Sequence, residues 1–160
     1  MKNLDNYITE RLKLTSKSNT YICQPKNRLE LRKILEERLK EDKNADLNDI
    51  DVSKINNFVI IVGGSATGLF EGLDPHNIKI DQWDVSNVTD MFSLFYECEN
   101  FNCNLSNWDV RKVTNMNYMF AGCEKFNCDL SDWNVSNVKF MDSTFDYCYS
   151  MDKLPNWYKK

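Results

Sequence analysis

Two cysteine pairs, Cys98-x4-Cys103 and Cys123-x4-Cys128, carry the residue type and spacing closest to chemistry, since four thiolates at short intervals can hold a structural zinc ion. The spacing is slightly wide for a zinc knuckle, and the second pair copies the first 25 residues on. Cysteine is also among the most readily buried side chains, so packed free thiols are expected and no metal. Stacked cysteines about 4.8 Å apart would meet the Cα distance for a disulfide. Side chains of one column point the same way, however, and an intracellular setting disfavours oxidation.

The other candidates resolve in the same direction. "GGSATG", Gly63 to Gly68, follows the apolar run "FVIIV", the context of a phosphate-binding loop. It lacks the Lys-Ser/Thr of a P-loop and the spacing of a dinucleotide fingerprint, so a plain glycine turn is expected. His76 is the only histidine, placed at a turn beside Asn77, and no nucleophile motif accompanies it. Asp84 and Asp109 share a column with Asn134, and Asp129 pairs with Asn104. Two acids on adjacent copies can share a proton or a calcium ion, but asparagine replaces them in both columns, which favours turn capping. No catalytic residue and no cofactor is expected.

These columns belong to a repeat. Tryptophan recurs at 83, 108 and 133, and the same step of 25 joins Val85, Val110 and Val135, then Val88, Val113 and Val138, then Met91, Met116 and Met141. Phe70, Phe95, Phe120 and Phe145 form a longer column, followed by Cys98, Cys123, Cys148 and by Asn77, Asn102, Asn127. Trp157 falls one residue short of the next tryptophan and marks a terminal rung. A repeat of this length cannot bury its own apolar face, whereas rungs stacked in register merge each column into a buried ridge. The period therefore predicts a solenoid. "SNVTDM" suits one short parallel strand per rung, and the Phe–Cys spacing after it suits a short helical turn. The asparagine column is expected to bond turn backbone as a ladder.

Upstream, "NRLELRKILEERLKEDKN" predicts a helix over about 28–43, with Asn27 as N-cap and Glu30 at capping-box spacing. Leu31, Ile34, Leu35 and Leu39 make its apolar stripe, which a solenoid's open N-terminal end would cover. The chain then divides into an N-terminal segment, 1–46, and repeats over 47–160 within one structural unit: an irregular rung 47–82, then 83–107, 108–132 and 133–157. The irregular rung is eight residues longer than the period, and the excess in "VIIVGGSATGLFEGLDPHN" is expected to bulge from one edge.

The net charge is −4, and residues 58–160 hold 8 Lys or Arg against 14 Asp or Glu, a net of −6. Such a balance argues against direct nucleic-acid binding or adhesion to anionic membrane, and towards a basic partner. "FVIIV" is too short to insert in a bilayer, and "MKNLDNYITERLKLTSKS" has no apolar core of signal-peptide length. A cytoplasmic protein is expected, with a cell-surface location only where an export signal has been removed.

"WDVSNVTDMFSLFYECENFNCNLSNWDV" resembles the repeat of the mycoplasma lipoprotein-type family of unknown function, relatives of the BspA-like leucine-rich-repeat surface proteins. "PKNRLELRKILEERLKEDKNADLNDIDVS" is similar to the lead-in that often precedes those repeats, so the likeness runs from Tyr21 to Trp157. The resemblance implies a leucine-rich-repeat-like solenoid used for binding, often on cell surfaces, and carries over no catalytic residues. Two departures stand out: the absent lipoprotein signal, and Cys103 and Cys128 where the family more often has a polar residue.

Repeat proteins put specificity in the columns that vary between rungs. Phe92 and Phe140 occupy columns otherwise polar, and Tyr118 stands between Ser93 and Ser143, so all three are expected to be exposed aromatics. With Arg111 and Lys112 they form the candidate protein-contact patch. The expected fold class is an α+β repeat: a short leucine-rich-repeat-like solenoid with one parallel strand per rung and a helical N-terminal cap. Its expected function is non-enzymatic protein binding. Two alternatives stay open: a small acidic inhibitor of a basic nucleic-acid enzyme, of the phage anti-defence or anti-CRISPR type, and a surface adhesin.

Overall fold

The structure is a computed structural model that describes residues 23–159. The opening stretch, on which the absence of an export signal is read, lies outside those residues.

Helix α1 spans Arg28–Glu41. Asn27 caps it, its Oδ1 accepting from the amides of Leu29 at 3.0 Å and Glu30 at 3.1 Å. Glu30 reaches back to the Lys26 amide at 2.8 Å, one residue upstream of the usual capping-box partner. Leu31, Ile34, Leu35 and Leu39 are buried, as the stripe requires. The helix stops short of residue 43 because Asp42 adopts φ −144°, ψ 113°, and its carboxylate caps the Asn44 amide at 2.8 Å. Arg32 Nη1 then ties α1 to the chain after the hairpin, donating to Leu69 O at 2.7 Å and Glu71 O at 2.9 Å.

The excess in the irregular rung is a β-hairpin of β1 (Val59–Val62) and β2 (Ser65–Gly68), antiparallel with Val62 opposite Ser65. Gly63 and Gly64, at φ +58° and +87°, make its two-residue turn, which needs left-handed backbone at both positions. "GGSATG" is thus a hairpin turn and strand.

From there the repeats lie against one another in parallel. Single-residue parallel bridges run Asn57 to Asp90, Asp90 to Asn115 and Asn115 to Phe140. Where the sequence predicts a strand in each repeat, the structure has one bridge, and the reason is local. Asp90 Oδ1 accepts from the Phe92 amide at 3.0 Å, and Asn115 Oδ1 from the Asn117 amide at 3.1 Å. Each bond turns the chain out of the extended conformation. Phe140 has no such group, and the Asp142 amide is instead taken by Asn117 Oδ1 at 2.7 Å from the repeat before.

The segment after each bridge is not helical. It is a pair of linked β-turns, Leu94 N to Met91 O at 3.2 Å and Cys98 N to Phe95 O at 3.0 Å, with Ser93 and Glu97 at φ +51° and +55°. Alternate amides are thereby freed to point at the next repeat: Ser93, Phe95 and Glu97 donate to Asn117, Met119 and Ala121 at 2.8–2.9 Å. A helix would have consumed those donors within the repeat.

Aromatic columns fill the interior. Phe70–Phe95, Phe95–Phe120 and Phe120–Phe145 stack at centroid distances of 5.0, 5.6 and 5.5 Å. Trp83 stacks on Trp108 at 6.4 Å, and Trp157 on Trp133 at 6.3 Å, so the shortened terminal copy keeps its place. Each indole N–H finds a carbonyl of the preceding repeat: Trp83 to Leu47 O at 2.9 Å, Trp108 to Ile80 O at 3.0 Å, Trp133 to Leu105 O at 3.1 Å and Trp157 to Leu130 O at 2.8 Å. Trp108→Phe keeps the ring stack but loses this bond, and is expected to cost about 1–2 kcal/mol in urea unfolding.

Candidate functional site

The acids that share columns between repeats hold turns. Asp84, Asp109 and Asn134 each accept from the amide two residues on at 3.0–3.1 Å, and Asn104 and Asp129 do the same for Ser106 and Ser131 at 3.0 and 2.9 Å. The asparagine column bonds between repeats at the Asn102 Oδ1 to Asn127 amide step, 3.2 Å. His76 is half-buried, its amide on Lys43 O at 2.8 Å and its Nε2 3.3 Å from Asp74.

Cys98, Cys103, Cys123, Cys128 and Cys148 are free thiols. Cys98, Cys123 and Cys148 lie along the spine and point at carbonyls of the preceding repeat, Phe70, Phe95 and Phe120, at 3.6, 3.0 and 3.1 Å. Burial pushes every thiol of the two pairs up, Cys103 to about 11, and lifts Cys148 to about 12. A raised thiol pKa lowers the thiolate fraction at any given pH below it, and the thiolate is the nucleophile. Ellman's reagent at pH 8 is therefore expected to label Cys98 and Cys123 of the native protein far more slowly than after urea unfolding. Equal rates before and after would contradict this packing.

Of the candidate contact residues, the structure brings together only two. Phe92 and Tyr118 meet edge to face at 6.0 Å, which leaves Phe92 half-buried instead of exposed and Tyr118 40% exposed. Phe140 is 54% exposed at its bridge position. Arg111 and Lys112 stand on a different turn, engaged by their own neighbours. Arg111 forks onto Asp109 at 2.7 and 2.9 Å, and that hydrogen-bonded guanidinium holds the Asp109 carboxyl at about 2. Stability from this exposed pair is present above the ordinary carboxylate range and lost only as pH falls towards 2. Lys112 Nζ donates to Asn87 Oδ1 at 2.8 Å, and Asn137 Nδ2 to Arg111 O at 2.7 Å, so this column ties repeats together.

A larger feature lies beside Tyr118. The linked turns of three successive repeats form an open groove of about 290 Å³, walled by Tyr96, Tyr118, Tyr147 and Tyr149. Tyr96 stands edge-on to Tyr118 at 6.4 Å, and Tyr147 to Tyr149 at 6.2 Å. The last two are 66% and 72% exposed. Glu97, Glu99, Glu124 and Asp146 complete the walls, and no lysine or arginine lines them. The Tyr96 hydroxyl bonds Glu97, which pushes the phenol pKa up. Comparison of variable columns finds Tyr118 but misses the rest, because those residues vary in the turns, beyond the strand-like columns. The columns 97/122/147 and 99/124/149, reading Glu-Gly-Tyr and Glu-Glu-Tyr, held the signal.

Among the described residues, no helix is long and apolar enough to cross a membrane. Residues 64–160 match a family described as Mycoplasma protein of unknown function, DUF285. The match begins within the hairpin turn and takes in every regular repeat, but not α1. No curated protein and no solved structure matches the chain.

Proposed function

The chain belongs to this mycoplasma-type family through its repeats, and on that premise we propose that it is a non-enzymatic protein-binding module. Its repeats wind as a short leucine-rich-repeat-like solenoid of the BspA-like kind, with α1 as the N-terminal cap. The observation that carries the proposal is the set of exposed aromatics, Tyr118, Tyr147, Tyr149 and Phe140, on backbone hydrogen-bonded from repeat to repeat. Rigid aromatic side chains lose little entropy when covered, and they dominate binding energy at protein interfaces. The acidic side chains of the turns complete a rim that favours a basic partner over nucleic acid or anionic lipid.

A second reading rests on the −6 charge of residues 58–160: the chain is a cytoplasmic inhibitor seated on a basic nucleic-acid enzyme. One experiment separates the two. Proteins recovered on the wild type from lysate of the source cell or its host are quantified by mass spectrometry at low and high salt, beside Phe140→Asp and Tyr118→Ala. The module predicts one partner, retained in salt and lost in at least one variant. A basic nuclease that survives both variants but is lost in salt replaces it with the inhibitor, and no stoichiometric partner overturns both.

A further inference from the structure

We propose that the tyrosine-walled groove is a docking site for a short extended segment of a partner protein carrying two or more lysines or arginines. This deepens the protein-binding reading and rests on it.

The groove is assembled from residues 96–99, 118–124 and 143–149, so no single repeat contains it. Rungs of a parallel stack lie about 4.8 Å apart, so three rungs span about 10 Å, the length of about three residues of extended chain. Its chemistry has two parts that suit the same ligand. Tyrosine faces attract a lysine ammonium or an arginine guanidinium placed over the ring, and arginine also stacks on the plane. The four carboxylates supply the counter-charge, and among the described residues none of them is held in an ion pair. An acidic segment would meet four like charges, and an apolar one would desolvate those carboxylates without supplying a counter-charge.

The floor and walls share one backbone conformation and differ in side chain. Glu97, Gly122 and Tyr147 occupy equivalent positions in three repeats, all left-handed, at φ +55°, +80° and +61°. Glycine at the centre keeps the floor low. A Cβ there would come within 3.1 Å of the Glu97 Cα. Tyrosine at the edge stands up as a wall, in a conformation glycine adopts more readily. The same turn thus supplies depth in one repeat and an aromatic side in the next.

The test uses a short fluorescein-labelled peptide of alternating arginine and glycine, followed by fluorescence anisotropy, with the alternating glutamate and glycine peptide as control. The full chain is expected to bind the basic peptide saturably at one site and the acidic peptide not at all. Tyr147→Gly with Tyr149→Ala should weaken binding about tenfold, as should Glu99→Gln with Glu124→Gln. Tyr147→Gly takes the backbone of Gly122, so an unchanged unfolding midpoint separates lost binding from lost fold. Asp132→Asn with Asp152→Asn, acids outside the groove, should leave binding unchanged. Absence of saturable binding, or equal weakening by the outside pair, overturns the groove assignment. A partner recovered from lysate and lost in Phe140→Asp would then still stand as evidence for the binding module on another surface.

Discussion

Gly68→Ala is expected to destabilise the protein by more than about 4 kcal/mol, enough to abolish most folded material. A Cβ at this position would lie 1.6 Å from the Ser93 carbonyl oxygen and 2.3 Å from its carbon, both backbone atoms of the next repeat. Neither can withdraw, because the flanking Ser93 and Phe95 amides are already bonded onward to Asn117 and Met119 at 2.9 Å. The hairpin joins the stack by backbone contact, and glycine is what allows the approach. Gly64→Ala is the control. That residue has φ +87° but nothing within 4 Å of an added Cβ, so the expected cost is about 1 kcal/mol from the left-handed backbone alone. Urea midpoints of the two variants test the contrast, and similar midpoints would refute the close approach.

Phe120→Ala is the second large effect, with an expected loss of about 3–5 kcal/mol in the same measurement. Phe120 is fully buried and has rings on every side of it: Phe95 at 5.6 Å, Phe145 at 5.5 Å, Phe126 at 4.3 Å and Trp133 at 6.4 Å. Neighbouring rings cannot collapse into the cavity without leaving their own columns. Phe140→Ala, at an exposed position, should cost less than about 0.5 kcal/mol. A loss at Phe120 no larger than that at Phe140 would show that the column is not the core.

Much of the architecture was legible because periodicity reports burial directly. Leu31, Ile34, Leu35 and Leu39 announce the inner face of α1, and the tryptophan and phenylalanine columns announce which residues stack. The Asx turns were legible too, since Asp and Asn exchange in the columns of Asp84, Asp109 and Asn134 and of Asn104 and Asp129, and the Oδ1 they share is the acceptor in every one of those turns. Two things were hidden. Asp90 and Asn115 sit in a β-branched stretch that reads as a strand, yet their side chains capture the amide two residues on and end it at one bridge. The Phe–Cys spacing of three fits a helical turn and a β-turn equally well, and only the positive φ at Ser93, Glu97, Tyr118, Ser143 and Tyr147 separates them. None of these is glycine, and a single glycine, Gly122 in the column of Glu97 and Tyr147, is all that flags the left-handed backbone in the sequence. That is also why the groove escaped notice: its walls are built from the residues those turns push outward.

The most direct test of the binding module is site-specific photo-cross-linking in the source cell, with benzoylphenylalanine placed at Tyr149 and, separately, at Asn107. Tyr149 is 72% exposed on the groove wall, whereas Asn107 is exposed beside the Trp108 turn, outside it. A single discrete protein adduct from position 149, and none from position 107, is the expected result. Equal adducts from both positions, or none from either, would contradict a protein-binding role for the turn face.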